Sequence, residues 1–132
     1  MRVLWLGAVL GAATVGSGCG DDECVEDLST DCAPLYSPTY DEVFTRTLAP
    51  TCAQPGAACH SSQGRKGGLV FEDADEAYTL LVGQAVVPSD AACSPLVVRL
   101  EASDSTVMPP GSPLDPAERC SIIQWIANGA ER

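Results

Sequence analysis

Seven cysteines and a single histidine set the terms on which this chain can fold. The cysteines stand at positions 19, 24, 32, 52, 59, 93 and 120 of a 132-residue chain that is only 5% aromatic. That length gives one domain and no second core. A core so small and poor in aromatics needs covalent staples or a cofactor to close it. Two of the cysteines and the histidine fall together in the stretch C-A-Q-P-G-A-A-C-H, Cys52 to His60. A Cys followed at once by His ends a c-type haem attachment site, in which cysteine sulfurs form thioethers and the imidazole binds iron. The usual spacing is C-x-x-C-H, whereas six residues separate Cys52 from Cys59 here. The spacer contains Pro55-Gly56, a turn signal, so the chain loops out before Cys59 returns. Read from the residues alone, Cys52 and Cys59 better suit a disulfide that pinches off the turn between them.

The opening of the chain reads as an export signal. Met1-Arg2 is a short positive start, the next residues to Val15 are apolar or small, and Gly16-Ser17-Gly18 precedes Cys19. Small residues before a cysteine resemble a bacterial lipobox. Residues 1–18 are therefore expected to be a lipoprotein signal peptide, with Cys19 lipidated as the mature N-terminus. The expected location is lipid-anchored in the cell envelope and periplasm-facing. Gly20 in place of an aspartate leans toward the outer membrane. Export also sets the redox state, because thiols beyond the inner membrane persist as disulfides. With Cys19 set aside, six cysteines remain, and fifteen connectivities are open. Pairing neighbours in sequence gives Cys24–Cys32 and Cys93–Cys120, with Cys52–Cys59 as the alternative to haem.

Charge narrows the partners. The formal net charge is −11, and eight acids between Asp21 and Glu42 stand without a single Lys or Arg. Nucleic acid is excluded as a partner, since phosphate binding needs cations. Residues 19–36 read as an acidic linker, a solvated tether between the anchor and a domain spanning 37–132.

Within the domain the periodicity is helical. Tyr40, Val43, Phe44, Thr47 and Leu48 share one face, Thr39 with Glu42 forms a capping box, and Pro50 is expected to stop the helix. Ser61 to Gly68 is a polar loop. Asp73 with Glu76 opens a second helix whose inward face is Ala77, Leu80 and Leu81, and Gly83 ends it. Ser94-Pro95 opens a short third helix, Leu96 to Glu101, with Leu96, Val97 and Leu100 inward. A stiff loop carrying Met108-Pro109-Pro110 follows. Asp115, Pro116 and Glu118 then start the last helix, Gly129 ends it, and Ile122, Ile123, Trp125 and Ile126 form its buried stripe. No strand pattern competes. The expected fold is all-α, about four short helices with long loops.

His60 and Met108 are the only histidine and, after the signal, the only methionine. Neutral imidazole binds iron in either oxidation state, while a thioether favours the ferrous state and raises the potential. Zinc on Cys52, Cys59, His60 and Cys93 would have no usual spacing. Hydrolysis lacks a second histidine and a recognisable nucleophile arrangement.

From Tyr40 to Arg132 the chain resembles the small cytochrome c-like domains of exported bacterial proteins, the planctomycete-type group among them. The matching pieces are Leu48-Ala49-Pro50, Cys59-His60, Gly67-Gly68-Leu69, Val87-Pro88, Ser94-Pro95-Leu96, Met108-Pro109-Pro110 and Trp125-Ile126-Ala127-Asn128-Gly129-Ala130. The resemblance implies covalent haem c, with Cys52 and Cys59 as thioether donors and His60 and Met108 as axial ligands. It implies an electron carrier rather than an enzyme, passing single electrons to redox protein partners. The other expectation from the residues is a haem-free, disulfide-stapled lipoprotein with a binding or structural role.

Overall fold

In the last helix the start signal, Asp115-Pro116, does what its chemistry predicts. Asp115 accepts from the Ala117 N–H at 2.8 Å and Pro116 takes the first helical position. The structure, a computed structural model, describes residues 24–54 and 59–132. Its helices are α1 (Tyr40–Val43), which runs on into a π-helical segment (Phe44–Cys52), α2 (Ala74–Gln84), α3 (Pro95–Glu101) and α4 (Pro116–Ala127). The described residues contain no strand, so the domain is all-α. No helix among them is long and apolar enough to cross a membrane.

α4 is the axis of the domain. Ile122, Ile123, Trp125 and Ile126 are buried as the periodicity predicts, and Cys120 and Ser121 are buried with them. A helix buried on so many sides needs neighbours all round. α1 supplies Tyr40 and Val43, the π-helical segment Leu48, α2 Ala77 and Leu81, and α3 Val97 and Leu100. Leu80 and Leu96 are only half-buried.

Several punctuation marks act differently from expectation. Pro50 does not stop the first helix: the winding continues to Cys52, and the Ala53 N–H reaches the Leu48 carbonyl five residues back. Proline has no N–H to give and crowds the carbonyl four residues earlier, and a wider turn accommodates both defects. Thr39 makes no side-chain cap, because Glu42 pairs with Arg46 instead. Glu76 turns to Arg65 at 3.4 Å rather than closing a box, though Asp73 caps α2 through the Asp75 and Glu76 N–H groups. Gly83 lies inside α2 and does not end it. Ser94 caps nothing, and its hydroxyl instead accepts from the Val87 N–H at 2.9 Å and donates to the Asp90 carbonyl at 2.7 Å. Glu118 accepts from Thr47 at 2.6 Å, and Tyr36 in turn hydrogen-bonds Thr47 at 2.5 Å. For Glu76 and Glu118 a tertiary partner claims the side chain that a local box would have used.

The cysteine pairing is also corrected. The bridges are Cys24–Cys93 and Cys32–Cys120, not Cys24–Cys32 and Cys93–Cys120. They bind residues 24–36 to the domain as a strap, where an acidic linker was expected. Val25 and Leu28 pack against the core, the Val25 N–H reaches the Ala92 carbonyl, and the Leu35 N–H reaches the Ala117 carbonyl. Gln124 donates to the Cys32 carbonyl at 2.9 Å, and the Ser121 hydroxyl takes both the N–H and the carbonyl of Tyr36. Glu26, Asp27 and Asp31 are exposed, while Val25 and Leu28 are half-buried and Tyr36 is buried, so composition alone reads as linker. The expected signal peptide and Cys19 lie outside the described residues.

Candidate functional site

Cys52 closes the π-helical segment, so the first helix presents it directly. The chain then departs and returns within hydrogen-bond reach: the His60 N–H donates to the Cys52 carbonyl at 3.1 Å. Cys59-His60 therefore lies beside Cys52. His60 is fixed from its other side as its carbonyl accepts from the Phe71 N–H at 2.9 Å, and its ring lies 5.1 Å from the Phe71 ring.

The loop after His60 is wound tightly. The Ser61 hydroxyl accepts from the Gly64 N–H, and the Arg65 N–H reaches the Ser61 carbonyl. Gly64 is needed for a close approach, since a Cβ there would lie 2.1 Å from the Cys59 carbonyl oxygen. Arg65 takes a left-handed conformation, φ 44°, and leads into the turn Lys66–Gly68. Gln84 at the end of α2 holds that turn by donating to the Gly68 carbonyl at 3.3 Å.

Met108 comes from the far side. Its N–H donates to the Arg99 carbonyl at 2.9 Å, so α3 holds the loop before α4 in place. α3 is itself docked on the end of α2, where the Leu96 N–H reaches the Ala85 carbonyl.

Cys52, Cys59, His60 and Met108 all line one cavity of about 680 Å³, with Leu69, Phe71, Leu96 and Leu100 supplying apolar wall. That volume lies within the range of about 300–1,000 Å³ usual for cofactor and ligand sites. The residues singled out in sequence are thus brought together, although 48 positions separate His60 from Met108.

The state of these groups suits a haem. Burial lowers the His60 pKa, against the pull of the backbone at Lys66 and Leu69, which favours the neutral imidazole that ligates iron. Its Nδ1 is buried with no hydrogen-bond partner. Burial pushes the Cys52 thiol up to about 12, with Glu118 and Cys59 adding to the shift. Cys52 is therefore a protonated thiol, and both it and Cys59 are unbridged. A buried neutral thiol is a poor start for a zinc thiolate site. Cys93 is taken by Cys24, and no cluster of three or more His, Cys, Asp or Glu side chains suited to a metal ion is found among the described residues. The donors that remain, one imidazole, one thioether and two thiols around an apolar cavity, are compatible with haem c.

Two residues of this wall were passed over in the sequence. Lys66 and Arg99 also line the cavity. The signal was present for Arg99: it lies three positions after Leu96 on the α3 face that carries Leu96 and Leu100 inward.

Comparison with known proteins agrees with this geometry. Residues 57–112 match the family described as planctomycete cytochrome C, a span that contains Cys59, His60, α2, α3 and Met108 but neither Cys52 nor α4. No curated protein and no solved structure gave a significant match. The all-α fold and the shared cavity agree with that likeness: residues 57–112 are similar to planctomycete cytochrome C.

Proposed function

We propose that this domain is a monohaem electron carrier, held in the cell envelope by lipid on Cys19. The observation that carries the reading is the single cavity lined by Cys52, Cys59, His60 and Met108. Bound there through Cys52 and Cys59, haem supplies a one-electron couple. The chain's own part is to hold and insulate. His60, pinned by its backbone to Cys52 and Phe71, is the proximal ligand, and its neutral form follows from burial. Met108, anchored to α3 through the Arg99 carbonyl, is the distal ligand. If His60 and Met108 both ligated a bound haem, no position would be left for substrate, which would suit electron transfer rather than catalysis. Leu69, Phe71, Leu96 and Leu100 keep water from the centre.

A second reading has an observation of its own. Two disulfides already staple the domain, so a haem-free binding or structural lipoprotein is physically sound. One measurement separates the two: peptide masses from an unreduced digest of the mature protein, made in cells with working haem-attachment machinery. The expected result is haem mass on the peptide containing Cys52 to His60, and diacylglyceryl mass on the Cys19 peptide. A Cys52–Cys59 linked peptide without haem establishes the second reading instead.

Met108→Ala should keep the attached haem but lower its midpoint potential, because the thioether preferentially stabilises ferrous iron. Redox titration of the purified variant checks this. An unchanged potential and spectrum would remove Met108 from the ligand role.

A further inference from the structure

The charged side chains lining the cavity are both cations, Lys66 and Arg99. In a chain of net charge −11 that is the opposite of what chance placement gives. Arg99 lies within electrostatic reach of Asp104. It occupies the α3 face whose other members, Leu96 and Leu100, are apolar cavity wall, a position that periodicity assigns to a hydrophobic residue. Lys66 faces the same cavity from the opposite element, on the turn that Gln84 fastens to α2.

We propose that Arg99 and Lys66 form a carboxylate-recognition pair for the cavity's ligand. The wall then accepts a flat apolar body while two cations take its anionic groups. On the haem reading, on which this rests, those groups are the two propionates. Arg99 offers a planar fork suited to one carboxylate, and Lys66 a point charge for the other. Because a nearby positive charge favours the less positive, reduced iron, the pair also raises the potential.

The test uses Arg99→Gln, Lys66→Gln, the conservative Arg99→Lys, and Arg46→Gln as a control for net charge away from the cavity. In the haem-loaded full chain, Arg99→Gln and Lys66→Gln are each expected to disfavour reduction about tenfold, a fall of about 59 mV for a one-electron couple. Arg99→Lys should recover much of the fall, and Arg46→Gln should leave the potential unchanged. Shifts in both glutamine variants no larger than in Arg46→Gln would overturn the proposal. A second arm needs no attached haem, so it also decides for a variant, or a wild-type chain, that never acquires it. The chain made without attachment machinery is titrated with protoporphyrin IX and with its dimethyl ester, followed by porphyrin fluorescence. The wild type should prefer the diacid about tenfold, and the Arg99→Gln/Lys66→Gln double variant should lose that preference. Equal affinity of the wild type for diacid and diester would sink the idea. Absence of haem mass in the digest would instead fail the haem reading, and the porphyrin arm would still decide on the pair.

Discussion

Replacing Cys32 and Cys120 by serine is expected to destabilise the domain by about 4 kcal/mol. The bridge joins positions 88 residues apart, and Cys24–Cys93 joins positions 69 apart, so each alone closes a long loop. Long loops in the unfolded chain are where a crosslink removes most entropy, about 4–5 kcal/mol for lengths like these. The two loops overlap. With Cys24–Cys93 intact, the shortest covalent path from Cys32 to Cys120 runs through that bridge, which brings the loss toward the lower figure. Small domains have only about 5–15 kcal/mol in total. Removing both bridges should therefore leave the haem-free chain largely unfolded, while removing one leaves it folded and marginal. Urea unfolding of the single- and double-bridge variants measures both losses. A single-bridge loss below about 1 kcal/mol would mean that the strap opens locally in the intact fold rather than sharing its cooperative unfolding. The buried relay from Tyr36 through Thr47 to Glu118 argues against such fraying, since it ties the strap's end to both α1 and α4.

That bridge pattern marks the limit of what the chain discloses before it is folded. Helix starts with a proline or a capping aspartate were legible, because Asp73 and Asp115 act on N–H groups two or three residues away. The residues that meet at the cavity were legible too, since Cys52, Cys59, the lone histidine and Met108 stand out in the sequence and line it together. Disulfide partners were not, because they depend on which helices meet. Cys120 sits on the buried side of α4 and can be reached only by a segment crossing that helix, as the strap does. The strap's acids concealed its role for the same reason: a linker and a surface strap have the same composition, and differ only in a few residues such as Val25 and Leu28 that are turned inward. Glu42, Glu76 and Glu118 were each at the correct spacing for a capping box. Each is held by a side chain from beyond that box, a choice that local spacing does not encode.

Trp125→Ala should cost about 3–5 kcal/mol, the range for removing a large buried aromatic. The ring is 2% exposed and lies where the aromatic side chains of three helices meet. Tyr40 of α1 is 5.5 Å from it, and Tyr78 of α2 meets Tyr40 edge-on at 5.0 Å. The indole N–H donates to the Glu131 carbonyl at 2.9 Å, while the Tyr78 hydroxyl takes the Ala130 carbonyl at 3.0 Å. Truncation thus opens a cavity beneath Tyr40 and releases the C-terminal end that the two polar atoms hold. Trp125→Phe keeps most of the ring and loses the N–H, so it should cost only about 1 kcal/mol plus a small packing defect. For a domain of this size each kcal/mol lowers the melting temperature by about 4–8 °C. Thermal unfolding of the two variants should separate them clearly. The aromatic cluster does not line the His60–Met108 cavity, so on the proposed haem reading Trp125→Ala should, below its melting point, take up haem with an unchanged spectrum. If the spectrum shifted while the protein remained folded, the packing around α4 and the ligand geometry would be coupled, and Trp125 would belong to the site as well as to the core.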